Sequence, residues 1–397
     1  MKKILYVIIS VLLLFTVECI YAQKETDERA YIDFKDGIGF KTPDSLFFMN
    51  MRFRMQNRLG FNADDDLNIG DVEATVKRLR LRFDGFVLNP KLTYYLQLSF
   101  SLGDQDWEGS QKPNIIRDAI IHYHFTKRFY MGFGQGKLPG NRQRVSSSGS
   151  QQFAERSIVN SIFNIDRDFG MFIYYTQPIG NALVNFKGAI STGEGRNAVI
   201  TNDQLAYTGR IEILPLGKFK SNGDFFEGDI LREPSPKLSI ASTFSRNVNA
   251  ERTQGQRGHF IKTPRDINTI FVDMILKYNG WSLQSEYANR DVALPVVEDV
   301  DGKQRIMFSG QGINTQLSYC FKNHYEIAAR HTYVQPFDKI SDFEPTRDMY
   351  TLGLNKYIVQ HKTKLQMNVS RVNQSTESLL IDPKNYWNVM FQVEIGI

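Results

Sequence analysis

Six arginines at alternate positions are the residues of this sequence best suited to recognition chemistry. They form two groups of three, namely Arg52, Arg54, Arg58, Arg78, Arg80 and Arg82. A guanidinium presents a planar fork of donors that suits phosphate, and each charged hydrogen bond contributes roughly 1.5–3 kcal/mol. The spacing predicts a cationic wall that attracts anions. A second interpretation pairs these arginines with acidic loop residues such as Asp64, Asp65 and Asp66. In that case the arginines hold the barrel open and do not bind a solute.

The first group of arginines lies in a segment that alternates with a period of two from residue 47 to residue 61. Phe47, Met49, Met51, Phe53 and Met55 share the opposite face from the arginines. This period is that of a β-strand with one apolar and one basic face. A transmembrane β-barrel turns such an apolar face to lipid and lines a wet lumen with the polar face.

The N-terminus reads as a secretory signal. Basic Lys2 and Lys3 precede an apolar run at residues 4–17, and Ala22 precedes the predicted cleavage site. The run is too short to span a bilayer as a helix. Lipidation at Cys19 is disfavoured, since Glu18 stands where a small residue is needed. We therefore divide the chain into a signal peptide (1–22), a lead-in segment (23–46) and a barrel (47–397).

Composition excludes several other classes of protein. The formal net charge of +5 is too small to indicate nucleic-acid binding. Removal of the signal leaves Cys320 as the one cysteine, so neither an intramolecular disulfide nor a cysteine zinc cluster can form. No long apolar segment follows the signal, and a barrel needs none. No cofactor is indicated.

Alternation recurs along the chain in segments of strand length separated by turn residues. It predicts an all-β transmembrane antiparallel barrel of about 16 strands, or 18 if residues 36–42 add a hairpin. The predicted strands are 47–61, 74–88, 92–102, 114–126, 128–138, 168–177, 181–191, 204–214, 236–246, 268–279, 281–290, 308–321, 324–334, 347–358, 361–371 and 385–397.

Two long interruptions, 139–167 and 215–235, break the alternation. Long loops in compact domains are usually functional or mobile, and one folded inward would form a constriction in a wide barrel. The first is bordered or occupied by charged residues, namely Lys137, Arg142, Arg144, Glu155, Arg156, Arg167 and Asp168. At such a constriction their charges would act strongly on a solute that passes through the barrel, because the local dielectric constant is low. Alternatively, Glu155–Arg156 and Arg167–Asp168 would latch the loop to the wall.

Three other motifs could in principle carry different chemistry. His122 and His124 share a strand face but lack a visible third ligand, which disfavours a metal site. The glycine-rich stretch at 132–137 predicts a strand whose small residues let another group approach the backbone closely, and it does not predict a phosphate loop. Three serines at 146–148 would suit an outer-membrane hydrolase, but no nucleophile elbow or local histidine supports catalysis. An adhesin would need longer extracellular loops than 215–235, 247–267 and 291–307.

Residues 77–170 resemble the phosphate-selective porin O and P family. The matching motifs are RLRLRFDG at 78–85, IRDA at 116–119, GQGKLP at 134–139, SS at 147–148, FAERS at 153–157 and RDFG at 167–170. Weaker matches follow at 207–210, 284–287 and 325–326. The closing strand at 391–397 ends in Ile397 instead of the usual aromatic residue.

The resemblance implies a 16-stranded barrel, usually a homotrimer, in the outer membrane of a Gram-negative bacterium. It also implies passage of small anionic solutes, with phosphate as the namesake. We therefore expect a non-enzymatic porin for small anions, including phosphate or polyphosphate, surrounded by outer-membrane lipid. A general non-specific porin is the alternative, and a barrel hydrolase is a more distant one.

Overall fold

The computed structural model describes residues 37–42, 46–105, 113–198 and 203–397. The predicted signal peptide and most of the lead-in segment lie outside the described residues. The structure contains nineteen strands in this part of the chain: β1 Ile38–Lys41, β2 Phe47–Ala63, β3 Ile69–Val87, β4 Leu92–Ser99, β5 Ile116–His124, β6 Phe129–Lys137, β7 Arg167–Ile179, β8 Ala182–Ser191, β9 Ala206–Leu214, β10 Lys237–Arg252, β11 Phe260–Tyr278, β12 Trp281–Asp291, β13 Val296–Glu298, β14 Gln304–Ile306, β15 Gly310–Cys320, β16 Tyr325–Pro336, β17 Thr346–Val359, β18 Thr363–Ser375 and β19 Tyr386–Gly396.

Sixteen of these strands form a closed antiparallel barrel. Each pairs with the next along the chain, except that β12 pairs with β15 across the small hairpin β13–β14. The last strand, β19, pairs with β2 and closes the cylinder. The predicted count of 16 is therefore confirmed. The variant with 18 is wrong, because β1 adds four residues to the edge of β2 beyond the end of β19 and is not a wall strand.

The two faces of the wall have the polarity that the alternation predicts. Outward-facing Ile240, Phe244 and Ile270 are 45%, 52% and 43% exposed, whereas inward-facing Thr243 and Asp273 are buried. Apolar side chains thus cover the outside, and polar side chains fill the inside. This inverts the arrangement of a water-soluble sheet and is the arrangement of a membrane barrel.

Connections differ in length between the two ends of the barrel. At one end, six turns lie within residues 88–91, 125–128, 180–181, 279–280, 321–324 and 360–362. Asn279 and Gly280 illustrate them, with φ values of 46° and 94° that suit a tight hairpin. We call this the turn end and the opposite one the loop end. No helix among the described residues is long and apolar enough to cross a bilayer.

The connection between β6 and β7, residues 138–166, folds into the barrel as predicted, and we call it the constriction loop. It contains the short helices Arg142–Val145 and Ile158–Phe163. Val159 and Phe163 are buried in an apolar cluster with side chains of the barrel wall, such as Phe271 on β11 and Val334 on β16. This cluster is the core of the molecule and lies inside the barrel. Apolar packing therefore fixes one side of the loop.

Gly312 on β15 provides the space for the second helix. A Cβ atom at Gly312 would lie 2.9 Å from Val159 Cγ2 and 3.1 Å from Phe163 Cε2. We expect Gly312→Leu to displace the helix and lower the free energy of unfolding by about 1–3 kcal/mol, because overpacking forces backbone shifts. The midpoint temperature of heat-induced unfolding on SDS gels measures the effect. Gly209→Leu is the control, since a Cβ there meets nothing within 4 Å. An equal loss in both variants would contradict the prediction.

The segment between β9 and β10, residues 215–236, enters the barrel from the turn end, and we call it the inward turn segment. Lys277 Nζ on β11 donates to the carbonyl oxygens of Gly223 and Phe226, at 2.7 Å each. Glu227 accepts from the Gln152 amide of the constriction loop at 3.0 Å. The interpretation of 215–235 as an extracellular loop is wrong, because antiparallel alternation places this connection among the short turns.

Candidate functional site

An upper and a lower cavity lie inside the barrel, on opposite sides of the constriction loop. The upper cavity, about 310 Å³, lies toward the loop end, and the lower cavity, about 790 Å³, opens toward the turn end. Arg144 and Arg156 line both cavities. We call the place where these two arginines lie between the cavities the junction.

The two predicted arginine groups face the lumen on neighbouring strands. Arg52 of β2 lies opposite Arg82 of β3, and Arg54 lies opposite Arg80. All four line the lower cavity. Like charges directly opposite each other destabilise a strand pair. The arrangement therefore requires partners, and these come from the wall and from the constriction loop.

Acidic side chains and serine hydroxyl groups supply those partners. Asp84 lies 2.8 Å from Arg82 and 3.9 Å from Arg52. Arg54 donates to Ser148 Oγ at 2.7 Å, and its Nε lies 3.8 Å from Glu394 on β19. The interpretation that Asp64, Asp65 and Asp66 partner the arginines is wrong: Asp64 accepts from Asn68, and Asp65 pairs with Arg371.

Glu155 of the constriction loop binds three basic side chains of β2 and β3. Its carboxylate lies 2.5 Å from Arg58 Nη1, 3.2 Å from Lys77 Nζ and 3.7 Å from Arg78 Nη2. Burial raises the pKa of Glu155, but Arg58 and its two neighbours more than offset this and hold the pKa well below its usual range. This cluster fixes the loop to the wall opposite the apolar core.

Lys137, Arg144 and Arg156 are basic residues of the constriction loop and its border that line a cavity. Lys137 Nζ donates to the carbonyl oxygens of Val145 and Ser146, at 3.2 Å each. Arg156 donates to the carbonyl oxygens of Gln143 at 2.6 Å and Ser146 at 3.1 Å. Arg144 pairs with Asp166. Carbonyl partners orient Lys137 and Arg156 without neutralising their charge.

Arg58, Arg142 and Asp168 lie away from both cavities. Arg142 binds Asp273 at 2.7 Å and the Asp224 carbonyl at 2.9 Å, and thus joins the constriction loop to β11 and to the inward turn segment. Asp168, fully buried, accepts from the Gly193 amide at 2.6 Å. These side chains organise the loops around the lumen.

Arg167 forms a bidentate pair with Asp118 on β5, at 2.8 and 3.1 Å, and lines the lower cavity. Glu155 bound to Arg58 and Arg167 bound to Asp118 thus hold the constriction loop and its border to the wall. Arg156 instead bonds within the loop, and Asp168 accepts from the connection that follows β8.

Asp104, Arg117 and Arg330 are charged residues inside the barrel that the sequence pattern does not single out as site residues. Asp104 binds Arg80 through two contacts of 2.6 Å and lies 3.1 Å from Arg117. Arg117 is part of the IRDA motif and lies at a register shift of β5, where alternation fails. Arg330 lines the upper cavity and lies on the same face of β16 as Glu326. The period of two in this strand was therefore enough to place Arg330 inside the barrel. Asp104 carried no periodic signal, since it lies in an irregular loop.

The motifs that were weighed for other chemistry have structural partners. His124 stacks on Tyr130 at 4.8 Å, and His122 packs edge-on against Tyr174 at 6.1 Å. Within the described ranges, no three acidic, histidine or cysteine side chains form a group that could hold a metal. Ser148 Oγ accepts from both Arg54 and Arg80, which gives it cationic donors in place of a general base.

A buried glutamate at the loop end predicts a pH dependence. Glu194 follows β8, accepts from the Glu251 amide at 3.1 Å, and has its pKa raised by burial to about 7. An acid with a raised folded-state pKa stabilises the fold most at low pH, and this stability is lost as pH rises through about 7. We expect amide exchange at residues 192–198, corrected for intrinsic rates, to be faster at pH 8.5 than at pH 5.5. Glu194→Gln should remove the difference, and its persistence would rule out this carboxyl group.

Comparison with known proteins agrees with this architecture. The family model for phosphate-selective porin O and P matches residues 49–395. A search of curated proteins finds no significant match.

Solved structures with the same fold include outer-membrane proteins at low identity. OmpT of Vibrio cholerae in its trimer form is 11% identical, with 88% of this chain and 99% of that one covered, and a TM-score of 0.55. OmpF of Salmonella typhi in complex with daunomycin is 12% identical, covering 90% and 100%, with a TM-score of 0.56. The outer membrane channel DcaP of Acinetobacter baumannii is 12% identical, covering 90% and 99%, with a TM-score of 0.51. The chain therefore belongs to the phosphate-selective porin O and P family, and it is an outer-membrane porin channel of a Gram-negative bacterium.

Proposed function

We propose that the channel passes small anions, phosphate among them, by diffusion past Arg144 and Arg156. The observation that carries this proposal is that these two arginines line both cavities. In a narrow, partly desolvated passage a charge acts more strongly than in bulk water, because the effective dielectric constant is lower. An anion is therefore favoured at the junction and a cation is repelled.

The charge of the cavity walls supports the same direction of selectivity. Among the residues that the structure describes, ten arginine or lysine side chains and two acidic side chains line the lower cavity, and five arginines and Glu155 line the upper cavity. Several of the arginines already bind carboxylates, so each offers a weak site. Conduction needs weak sites in series, since a solute held tightly would not leave.

The passage has three stages in this proposal. An anion enters the upper cavity from the loop end, replaces part of its hydration by hydrogen bonds from Arg156 and Arg144, and then reaches Arg54 and Arg82 in the lower cavity. It leaves at the turn end, down its concentration gradient. Glu155 and the apolar core keep the constriction loop in place throughout, so the junction stays narrow without any moving part.

The assembly and surroundings are also part of the proposal. The apolar outer wall would contact outer-membrane lipid, and three copies would form a homotrimer, as in the trimer form of OmpT. Chemical crosslinking of the protein in detergent, followed by SDS gels without heating, tests the trimer. A single band at monomer mass would contradict it.

Single-channel recording in a planar bilayer tests the function. We expect stepwise openings, and under a KCl gradient a reversal potential shifted toward the equilibrium potential of Cl⁻. We also expect the current to fall as phosphate is added. Anion preference without phosphate block would restrict the proposal to anions in general. Equal permeability of K⁺ and Cl⁻ would overturn anion selectivity and leave a general porin.

A further inference from the structure

The lower cavity has an aromatic wall beside its arginines. Tyr95, His122 and Tyr174 line it from β4, β5 and β7. Tyr174 stacks on Tyr130 with ring centroids 4.5 Å apart and planes 11° apart, and His124 continues the stack. These contacts restrict the rings, so the wall is preorganised and loses little conformational entropy when it binds.

Glycine allows this wall to form. A Cβ atom at Gly132 on β6 would lie 2.8 Å from His122 Cδ2, so any larger residue would push the imidazole ring away. The glycine-rich stretch at 132–137 thus leaves space for the His122 ring of the neighbouring strand β5.

The inward turn segment supplies aromatic side chains from the other side. Phe225 and Phe226 line the same cavity, and Phe225 is 38% exposed. The Phe225 ring lies 4.8 Å from Lys187 Nζ, and Lys187 is the register partner of Tyr174. Phe225 and Tyr174 therefore lie at the same level of the lumen. The exposed part of the Phe225 ring and the Tyr174 ring therefore offer two aromatic surfaces to a solute in this cavity.

The charged side of the cavity adjoins the aromatic wall directly. The Arg82 guanidinium lies 4.5 Å from the centroid of the Tyr95 ring. The side chains of Arg82 and Arg52 are 33% and 35% exposed, so both can reach a solute. A cavity of about 790 Å³ accommodates a small organic molecule, since ligand sites commonly measure roughly 300–1,000 Å³.

We infer that the lower cavity is a binding site for small carboxylates that carry a ring with an apolar face. The ring packs against Tyr174 and Phe225, while Arg82 and Arg52 bind the carboxylate. This rests on the proposed function, since the solute must first pass the basic junction. The aromatic wall adds a preference by shape. Among anions of equal charge, one that carries a ring stays longer in the lower cavity.

Current block in single channels tests the inference with three sodium salts of equal charge: acetate, benzoate and glucuronate. Benzoate is expected to stay about two- to tenfold longer than acetate, because an aromatic pair adds roughly this much to binding. A longer stay for glucuronate instead would identify an acidic sugar as the ring-bearing anion. Both results support the site, and they distinguish its two classes of ligand.

Variants locate the site. Tyr174→Leu and Phe225→Leu are expected to shorten the stay of the ring-bearing anion to that of acetate. Tyr175→Leu is the matched control, because Tyr175 follows on the same strand but faces outward. Equal stays for all three anions in an anion-selective channel would overturn this inference and leave the proposed function intact. If the unaltered channel showed no anion selectivity, that result would refute the proposed function, and this inference with it.

Discussion

Replacing Arg156 by glutamate is expected to reduce the permeability ratio of Cl⁻ to K⁺ by about tenfold or more. The change reverses a charge that lines both cavities and is oriented by the carbonyl oxygens of Gln143 and Ser146. Two unit charges 4 Å apart interact by about 4 kcal/mol at an effective dielectric constant of 20, so a single reversal outweighs several distant arginines. The reversal potential under a KCl gradient measures the ratio.

Two further variants make this result interpretable. Arg156→Gln removes the charge and keeps a hydrogen-bond donor, so it should give an intermediate ratio. Arg246→Gln removes an exposed arginine of β10 that pairs with Asp266 on the outer face, and should leave the ratio unchanged. An unaltered ratio in both Arg156 variants would refute the role of this residue at the junction.

Replacing Glu155 by glutamine is expected to have two effects together. It removes a carboxylate that lines the upper cavity, which should increase anion preference. It also leaves the buried Arg58 guanidinium without its anionic partner, a loss of about 3 kcal/mol at the lower end of the range for buried pairs. The constriction loop should therefore loosen, with a noisier open-channel current and a lower temperature of heat-induced unfolding.

Glu298→Gln is the matched control for Glu155→Gln. Glu298 is an exposed carboxylate on the small hairpin, paired with Lys262 at 3.0 Å, so its loss changes the total charge equally without touching the lumen. Open-channel noise and unfolding temperature should stay at the level of the unaltered protein. A quiet current in Glu155→Gln would mean that the apolar core alone holds the constriction loop.

The wall of the barrel was predictable because strand alternation is a local property. All sixteen wall strands lie at the predicted positions, but some extend further than predicted where alternation continues into a loop, by six residues at β10 and by eight at β11. The orientation of Arg52, Arg54, Arg80 and Arg82 toward one side also followed from the period of two, and the register confirms it.

The interior was not predictable in the same way. Glu155 meets Arg58 because the constriction loop crosses the lumen, and Gln56 meets Glu394 at 2.8 Å because the barrel closes between its first and last wall strands. Neither contact has a sequence signal, since the partners lie 97 and 338 residues apart. The inward course of the segment 215–236 likewise depends on Lys277 and on contacts with the constriction loop.

The sequence by itself determined the period of two, the number of wall strands, their two-faced polarity and the family. Each of these depends on the order of neighbouring residues or on motifs within a short range. The tertiary structure alone decided which charges are neutralised, which line open lumen, and where Arg144 and Arg156 join the two cavities. The reason is that ion pairing depends on distances in space, which closure of the barrel and inward folding of two loops set between residues remote in the chain.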